Sequence, residues 1–408
     1  MALNFIWASF FIIAFVIGLI KLIFFQDLEI FPNLLQSTFD NSKTGFEISL
    51  YLTGVMTLWL GLMKIGEKGG MVPILSRGLG PFFSRLFPEV PKDHPAIGSI
   101  IMNFSANILG LDNAATPLGL KAMKELQELN PTPDTASNAQ ITFLVLNTSG
   151  LTLIPLTVIA DRAALGSLNP TSIFIPTLMA TFASTLIGIL FLSIKQKIKF
   201  LDPILLLYLL GFSGIIGLAA WHFSQLEPAQ LQLQSSIISS IIILSIITGF
   251  ISLGIFRKIP LFETFIDGAK EGFSISIKII PYLVAMLVGI GLFRTSGALQ
   301  YFVDGLAWVF FLPQEIANAL PVALLKPMSG QTARGMMIEV SKNFGPDSFT
   351  GNLGSVFRGC TETTFYILAV YFGSVNIRKT RYALSAGLIA DFAGILAAIF
   401  IGYLFFQL

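Results

Sequence analysis

A chain of 408 residues with 54% hydrophobic and only 12% charged side chains cannot coat a water-soluble surface, because soluble domains carry roughly a quarter charged residues. A net charge of +2 gives no basic patch for nucleic acid and no acidic tail. The single cysteine, Cys360, rules out an internal disulfide; with only His94 and His222 as imidazoles, a zinc or haem enzyme is not expected.

Bilayer-length apolar runs then follow one another along the chain. A spanning helix needs about 20 predominantly apolar residues, and Leu3–Phe25, Phe46–Ile65, Ile141–Ala160, Ile173–Ile194, Pro203–Trp221 and Ile237–Phe256 supply them. Phe273–Phe293, Leu353–Phe372 and Tyr382–Phe405 complete the predicted spans. The first run has no basic start and no small-residue cleavage site, so it reads as a span and not a leader. Met71–Phe87 and Leu299–Phe311 mix apolar residues with Gly, Arg or Asp and read as helices along the membrane surface.

Two stretches differ from these. Ile97–Leu120 carries Asn103, Ser105, Asn107, Asp112, Asn113, Thr116 and Pro117; Leu320–Ile338 carries Lys326, Pro327, Ser329, Gly330, Gln331, Thr332 and Arg334. Polar or non-helical backbone survives at membrane depth only inside protein or beside a wet cavity. Both stretches are therefore read as broken, re-entrant hairpins.

Interrupted segments at matching places in two halves mark transporters built from repeats. A displacement of 210 positions lays Leu178, Ala180, Phe182, Ala183, Leu186 and Ile189 on Leu388, Ala390, Phe392, Ala393, Leu396 and Ile399. A displacement of 230 lays Met56, Gly61, Leu62 and Lys64 on Met286, Gly291, Leu292 and Arg294. The order span, surface helix, hairpin, span, span occurs twice. Basic residues gather on the cytoplasmic side. Placing Lys64–Lys92, Lys195–Lys199, Arg257–Lys270 and Arg378–Arg381 inside makes the two repeats inverted. The predicted fold is thus an all-α polytopic membrane protein of two inverted repeats, each with a re-entrant hairpin.

Chemistry should sit where polar groups are hardest to keep in a bilayer. An ionised side chain at mid-membrane costs at least about 2.5–3.5 kcal/mol on insertion scales. Glu362 and Asp391 both fall within apolar spans, with Arg358 one helical turn before Glu362 as an alternative ion-pair partner. At the 210 displacement their counterparts are the neutral Thr152 and Thr181. Candidate solute contacts are Asn103, Ser105, Asn107, Asn113, Asn147, Ser149, Ser329, Gln331, Thr332, Arg334, Thr361 and Glu362. Asp112, Glu362 and Asp391 are the candidates for coupling to Na⁺ or H⁺, and no other cofactor is expected. Ser and Thr elsewhere, such as Thr142, Thr152, Thr157 and Ser385, read as hydroxyls bonding their own or a neighbouring helix.

The residues also carry a resemblance. NFSANILGLDNAATPLGLKAM at Asn103–Met123 resembles the signature of the spore maturation protein A family. SGQTARGMM at Ser329–Met337, followed by GCTETTFYILAVYFGSVNIRKTRYAL at Gly359–Leu384, resembles that of spore maturation protein B. Together the two cover nearly the whole chain and imply a fusion: residues 1–195, a connecting pair of helices at 196–260, and residues 261–408. The resemblance places the chain among membrane proteins with a nucleoside-recognition or gate domain, a group that includes concentrative nucleoside transporters. It marks Asn103, Asn107, Asn113, Ser329, Thr361 and Glu362 as motif positions. Where the family has a serine- and glycine-rich hairpin, this chain reads Gln331-Thr332-Ala333-Arg334.

The expectation is a secondary transporter of a small polar solute (nucleoside-, amino-acid- or carboxylate-like) in the bacterial inner membrane. A homo-oligomer assembled through scaffold helices is the expected form. The alternative is a non-transporting scaffold or sensor for envelope or spore maturation. No HExxH, GxSxG or nucleotide loop points to an enzyme.

Overall fold

A computed structural model describes residues 2–91, 93–108, 112–152, 155–198, 202–226 and 228–406. Among them, regular structure is helical apart from one isolated parallel bridge between Thr135 and Lys379. The helices are α1 (Ala2–Phe25), α2 (Ile30–Lys68), α3 (Met71–Leu86), α4 (Pro95–Ile108), α5 (Asp112–Glu128), α6 (Asn138–Thr148), α7 (Leu156–Ala164) and α8 (Phe174–Gln196). Then come α9 (Pro203–Ser224), α10 (Pro228–Phe256), α11 (Leu261–Thr295), α12 (Ala298–Phe310), α13 (Gln314–Leu325), α14 (Gly330–Phe344), α15 (Phe349–Gly359), α16 (Thr364–Ser374) and α17 (Ala383–Phe406).

Among the described residues, six helices are long and apolar enough to cross a membrane: Trp7–Phe25, Ile30–Lys68, Pro170–Gln196, Pro203–Phe223, Ile237–Phe256 and Ala383–Phe406. The expected span at Phe46–Ile65 is the latter part of the much longer α2. That at Phe273–Phe293 lies in α11, whose end at Leu283–Thr295 meets Ala298–Val309 at a bend of 75°.

Two predicted spans are not continuous helices. Ile141–Ala160 is divided into α6 and α7, and Leu353–Phe372 into α15 and α16. The first interruption has a local cause. A capping box between Ser137 and Gln140 starts α6, and Gly150 ends the helical run in the left-handed region at φ 59, as a glycine just past a helix end commonly does. Pro155 then stands immediately before α7. The second interruption covers residues 360–363, so Arg358 and Glu362 do not share a continuous helical turn.

Both hairpins form as expected, from α4 with α5 and from α13 with α14. Counting each interrupted pair once, the order long helix, short helix, hairpin, interrupted helix, helix runs from α2 to α8 and again from α11 to α17.

The chain divides into two units. The first comprises Met1–Gly61, Thr157–Pro170 and Phe265–Arg358; the second comprises Leu62–Leu156, Thr171–Thr264 and Gly359–Leu408. In the first, Leu287, Ile290, Ala317, Met337, Leu353 and Phe357 form the apolar interior. In the second, Phe83, Phe87, Leu126, Phe143, Leu192 and their neighbours make one buried cluster.

Within the second unit α8 and α17 run antiparallel. Asn138 accepts from Gln196 Nε2 at its carbonyl (3.1 Å) and from Tyr382 Oη at its Oδ1 (2.9 Å), which ties the end of α8 to the start of α17. Midway along, Ser184 Oγ donates to the Ala390 carbonyl at 2.8 Å. At the same end, the loop after α5 is laced to the loop before α17. The Asp134 carbonyl accepts from the backbone N–H of Arg378 and Lys379, and Ala136 N–H donates to the Lys379 carbonyl. Arg381 Nη1 donates to the Ala136 carbonyl at 2.9 Å.

Candidate functional site

The interruption after α6 and the one before α16 meet inside the second unit. A helix leaves its last four carbonyls and first four N–H groups without internal partners, and here the second break supplies a donor to the last carbonyl of α6. Glu362 N–H donates to the Thr148 carbonyl at 2.9 Å. The approach is close enough that a Cβ on Gly150 would lie 3.0 Å from Glu362 Cγ. Gly150 is thus fixed twice, by its positive φ and by the carboxylate stem beside it.

Beside this crossing is a cavity of about 190 Å³, walled by α4, α5, α6, α16 and residues 362–363. Its polar lining is Asn107, Thr116, Asn147, Glu362, Thr363, Tyr366 and Tyr371. Amides and a phenol are chained along one side. Asn107 Nδ2 donates to Asn147 Oδ1 at 2.8 Å, and Tyr371 Oη donates to the same oxygen at 3.3 Å. Asn147 Nδ2 returns to its own helix, at the Phe143 carbonyl 2.8 Å away. Asn103, fully buried, donates to the Ala115 carbonyl at 2.8 Å and so clasps the two arms of the first hairpin. Gly119 makes room for Tyr371, whose hydroxyl would lie 2.3 Å from any Cβ there.

The N-terminal turn of α16 also faces this space, because Thr363, Tyr366 and Ile367 line it. Thr363 gives that helix no side-chain cap. Free N–H groups and the positive end of a helix dipole favour a negative or hydrogen-bond-accepting group, while Glu362 on the same wall favours a donor or a cation. The cavity therefore presents acceptor, donor and aromatic surfaces together. It suits an amphoteric or amide-rich solute better than a simple ion.

Asp391 lies just behind. It is 2% exposed, and its Oδ2 accepts from Thr364 Oγ1 at 2.6 Å, which fixes the first residue of α16 to α17. Thr361 is buried against Gly394, where a Cβ would come within 2.8 Å of Thr361 Cγ2. Ser149 is buried too; its hydroxyl donates to the Leu146 carbonyl and accepts from Thr185 Oγ1 at 3.0 Å. Ser105 is fully buried with its hydroxyl unpartnered among the described residues. The side chains of Asp112 and Asn113 lie outside the described residues.

The other sequence-derived candidates belong to the first unit, where their partners are internal. Ser329 caps α14 by accepting from Thr332 N–H at 3.2 Å, and Thr332 Oγ1 points to Met286 Sδ at 3.9 Å. Arg334, 3% exposed, forks onto the fully buried Asp161, with Nε 2.9 Å from Oδ2. Gln331 Oε1 is buried without a partner among the described residues. Next to Asp161, the buried Arg162 donates to the Pro346 carbonyl, Ser355 and Asp347. Arg294 likewise pairs with the buried Glu339.

Sequence reasoning overlooked Gly150, Tyr366, Tyr371 and the Asp161–Arg162 pair. The last was detectable, since two adjacent charges close the apolar run Ile141–Ala160. The tyrosines were not, because an aromatic in an apolar span carries no signal of which way its hydroxyl points.

A helical chain with several membrane-crossing helices and a polar pocket between interrupted ones defines a multi-pass membrane protein. The chain belongs to the Gate family, described as nucleoside recognition, whose model matches residues 49–267 and 276–378. Spore maturation protein A of Bacillus subtilis (strain 168) is 45% identical over 181 residues, covering 44% of this chain and 89% of that protein. Spore maturation protein B of the same organism is 46% identical over 161 residues, covering 40% of this chain and 90% of its own length. No solved structure matches the chain.

Proposed function

We propose that this protein is a secondary transporter of a small polar solute, working by alternating access across the bacterial inner membrane. The observation that carries the reading is the Thr148–Glu362 backbone bond beside the cavity of about 190 Å³. Interrupted helices whose ends meet beside a polar pocket are the kind of place where transporters bind solutes at mid-membrane. Glu362, Asn107, Asn147, Tyr366 and Tyr371 hold the solute, with the N-terminal turn of α16 as a further donor surface. Tyrosine rings and amides favour a nucleoside-like ligand, in keeping with the family's description. Glu362 and Asp391 are the groups through which a Na⁺ or H⁺ gradient is coupled.

Inverted repeats supply the two-sided access. Support comes from the recurring element order and from the antiparallel α8 and α17, which correspond at the 210 displacement. The end of α8, beside Lys195 and Lys197, and the start of α17, after Arg378–Arg381, lie at one end, in keeping with the placement of both basic groups on the cytoplasmic side. The two repeats correspond to the two spore maturation relatives, and α9 with α10 joins them.

The test is flux into liposomes containing the purified full chain, with nucleosides, amino acids and small carboxylates offered under Na⁺ or H⁺ gradients. Uptake of one class that collapses with the gradient is the expected result. Absence of flux and of thermal stabilisation across the whole set refutes the proposal and favours a scaffold or sensor.

A further inference from the structure

The second unit holds a second, larger cavity, of about 380 Å³, between α3, α4, α6, α8 and α9. Its lining is apolar except for Thr185 and Tyr208. Both spend their protons within the protein: Thr185 Oγ1 donates to Ser149 Oγ, and Tyr208 Oη donates to the Gly78 carbonyl. A polar solute entering this space would lose its water and find two hydroxyl oxygens at most in exchange. Apolar cavities less than half this size stay dry and take up hydrocarbon, and an empty void forfeits the dispersion contacts of its whole lining.

The space is not sealed from the bilayer. A second hollow, of about 300 Å³, shares Tyr208, Phe212 and Ile215 with it and continues past Gly211 on α9. There Leu207, Leu210 and Leu218 are exposed as hydrocarbon-facing residues of a membrane span. On the other rim, α3 lends Leu75 and Leu79 to the lining while Arg77 between them is exposed. Arg85 of the same helix is already paired, with Asp202 at 3.7 Å. A helix that turns apolar residues inward, and outward an arginine with no partner among the described residues, matches an anionic headgroup at a membrane surface.

We propose that this cavity holds one acyl chain of an anionic phospholipid, with the headgroup phosphate at Arg77. The site matters because it shares its walls with the polar cavity. On α4, Asn107 faces the polar space while Phe104 and Ile108, one turn apart, face the apolar one. On α6, Asn147 and Leu146 divide in the same way. Leu151, within the interruption, also touches the apolar cavity. A chain seated there props the end of the hairpin arm and the break from behind, so the bound lipid sets the position of the solute-binding amides.

The full chain, reconstituted in phosphatidylethanolamine–phosphatidylglycerol vesicles, can be illuminated with a phosphatidylglycerol carrying a diazirine midway along one acyl chain. Any bilayer lipid labels Leu207, Leu210 and Leu218. Adducts at Phe104 and Ile189, only 5% and 3% exposed, report entry. The expected result is inner and outer adducts together, with the inner ones lost in Ile189→Trp or, should that variant fail to fold, Leu186→Trp. Arg77→Gln should reduce inner labelling and leave outer labelling unchanged. Adducts confined to the outer residues, or inner adducts persisting in both filled variants, overturn the proposal. Equal inner labelling by a phosphatidylcholine probe overturns the choice of headgroup. The labelling is read whether or not any solute crosses.

Discussion

Ser184 and Gly394 are counterparts at a displacement of 210 residues, and they touch: a Cβ on Gly394 would lie 3.1 Å from Ser184 Cβ. Positions 210 residues apart that also meet one another sit where α8 and α17 cross. Thr361 Cγ2 and the Cys360 carbonyl close the remaining space around Gly394, at 2.8 and 3.2 Å from the same Cβ position. The crossing of these two helices and the second interruption are therefore packed against each other.

Gly394→Ala is expected to destabilise the protein by about 1–3 kcal/mol, as overpacking of a tight interior does. Thr361 is the nearest group, so Thr361→Ser, which removes the offending methyl, should restore most of the loss when combined with it. Thermal melts of the two single variants and the double variant in detergent decide this. Equal, additive losses would show that the contact is not the limiting one.

Glu362→Gln should abolish or severely reduce gradient-driven flux while leaving the melting temperature near that of the parent. Its backbone N–H, which holds the break to Thr148, is kept in the variant. Transport that continues unchanged removes the carboxylate from the mechanism.

Asn107 and Asn147 share a hydrogen bond of 2.8 Å. Interhelical bonds of this kind in membranes contribute about 0.6–2 kcal/mol. A cycle of Asn107→Ala, Asn147→Ala and the double variant should give a coupling energy in that range by unfolding in mixed micelles. A coupling near zero would mean that the amides pair with water or solute instead of each other.

The Arg334 fork on Asp161 was read from sequence as a solute contact, and its burial predicts something different. Removing either partner should cost about 3–5 kcal/mol, since a buried charge is left uncompensated. Asp161→Leu with Arg334→Met should recover much of that stability. If instead Arg334→Met lowers only solute affinity, the guanidinium serves the solute after all.

Outside the membrane, the Thr135 hydroxyl and then the Lys379 ammonium, 3.2 Å away, hold the Asp134 carboxyl below its ordinary value of 3.8. A depressed carboxylate contributes stability that is complete above the unfolded value and lost as pH falls through the folded one. The protection factors of the Arg378 and Lys379 amides, corrected for intrinsic exchange, should therefore be flat near neutrality and fall only below pH 3.8. Lys379→Ala should make that fall smaller.

Much of this architecture could be read from residues alone because bilayer helices announce themselves by length and apolarity. The hairpins were legible for the opposite reason: Asn103, Asn107, Ser329 and Arg334 are too polar for lipid. The break at 149–155 was not, because its sequence is almost as apolar as the spans around it; the polar Cys360–Thr363 stretch stood out, but as a charge within a span and not as an interruption. Gly150 and Pro155 are common enough in membrane helices that neither alone marks an interruption. Glu362 could be picked out as a costly charge, but its partner Thr148 acts through a backbone carbonyl, which no side chain signals. Asp391 was legible as a charge, while the Thr364 hydroxyl that satisfies it could equally have bonded its own helix.

α9 and α10 traverse the membrane as two consecutive helices. A polypeptide that goes over and comes back resumes on the face it left, so whatever follows Phe256 is threaded as though it had been made separately. Excising either helix alone would turn the remainder upside down, whereas excising both would shorten the tether and keep every later loop on its original side.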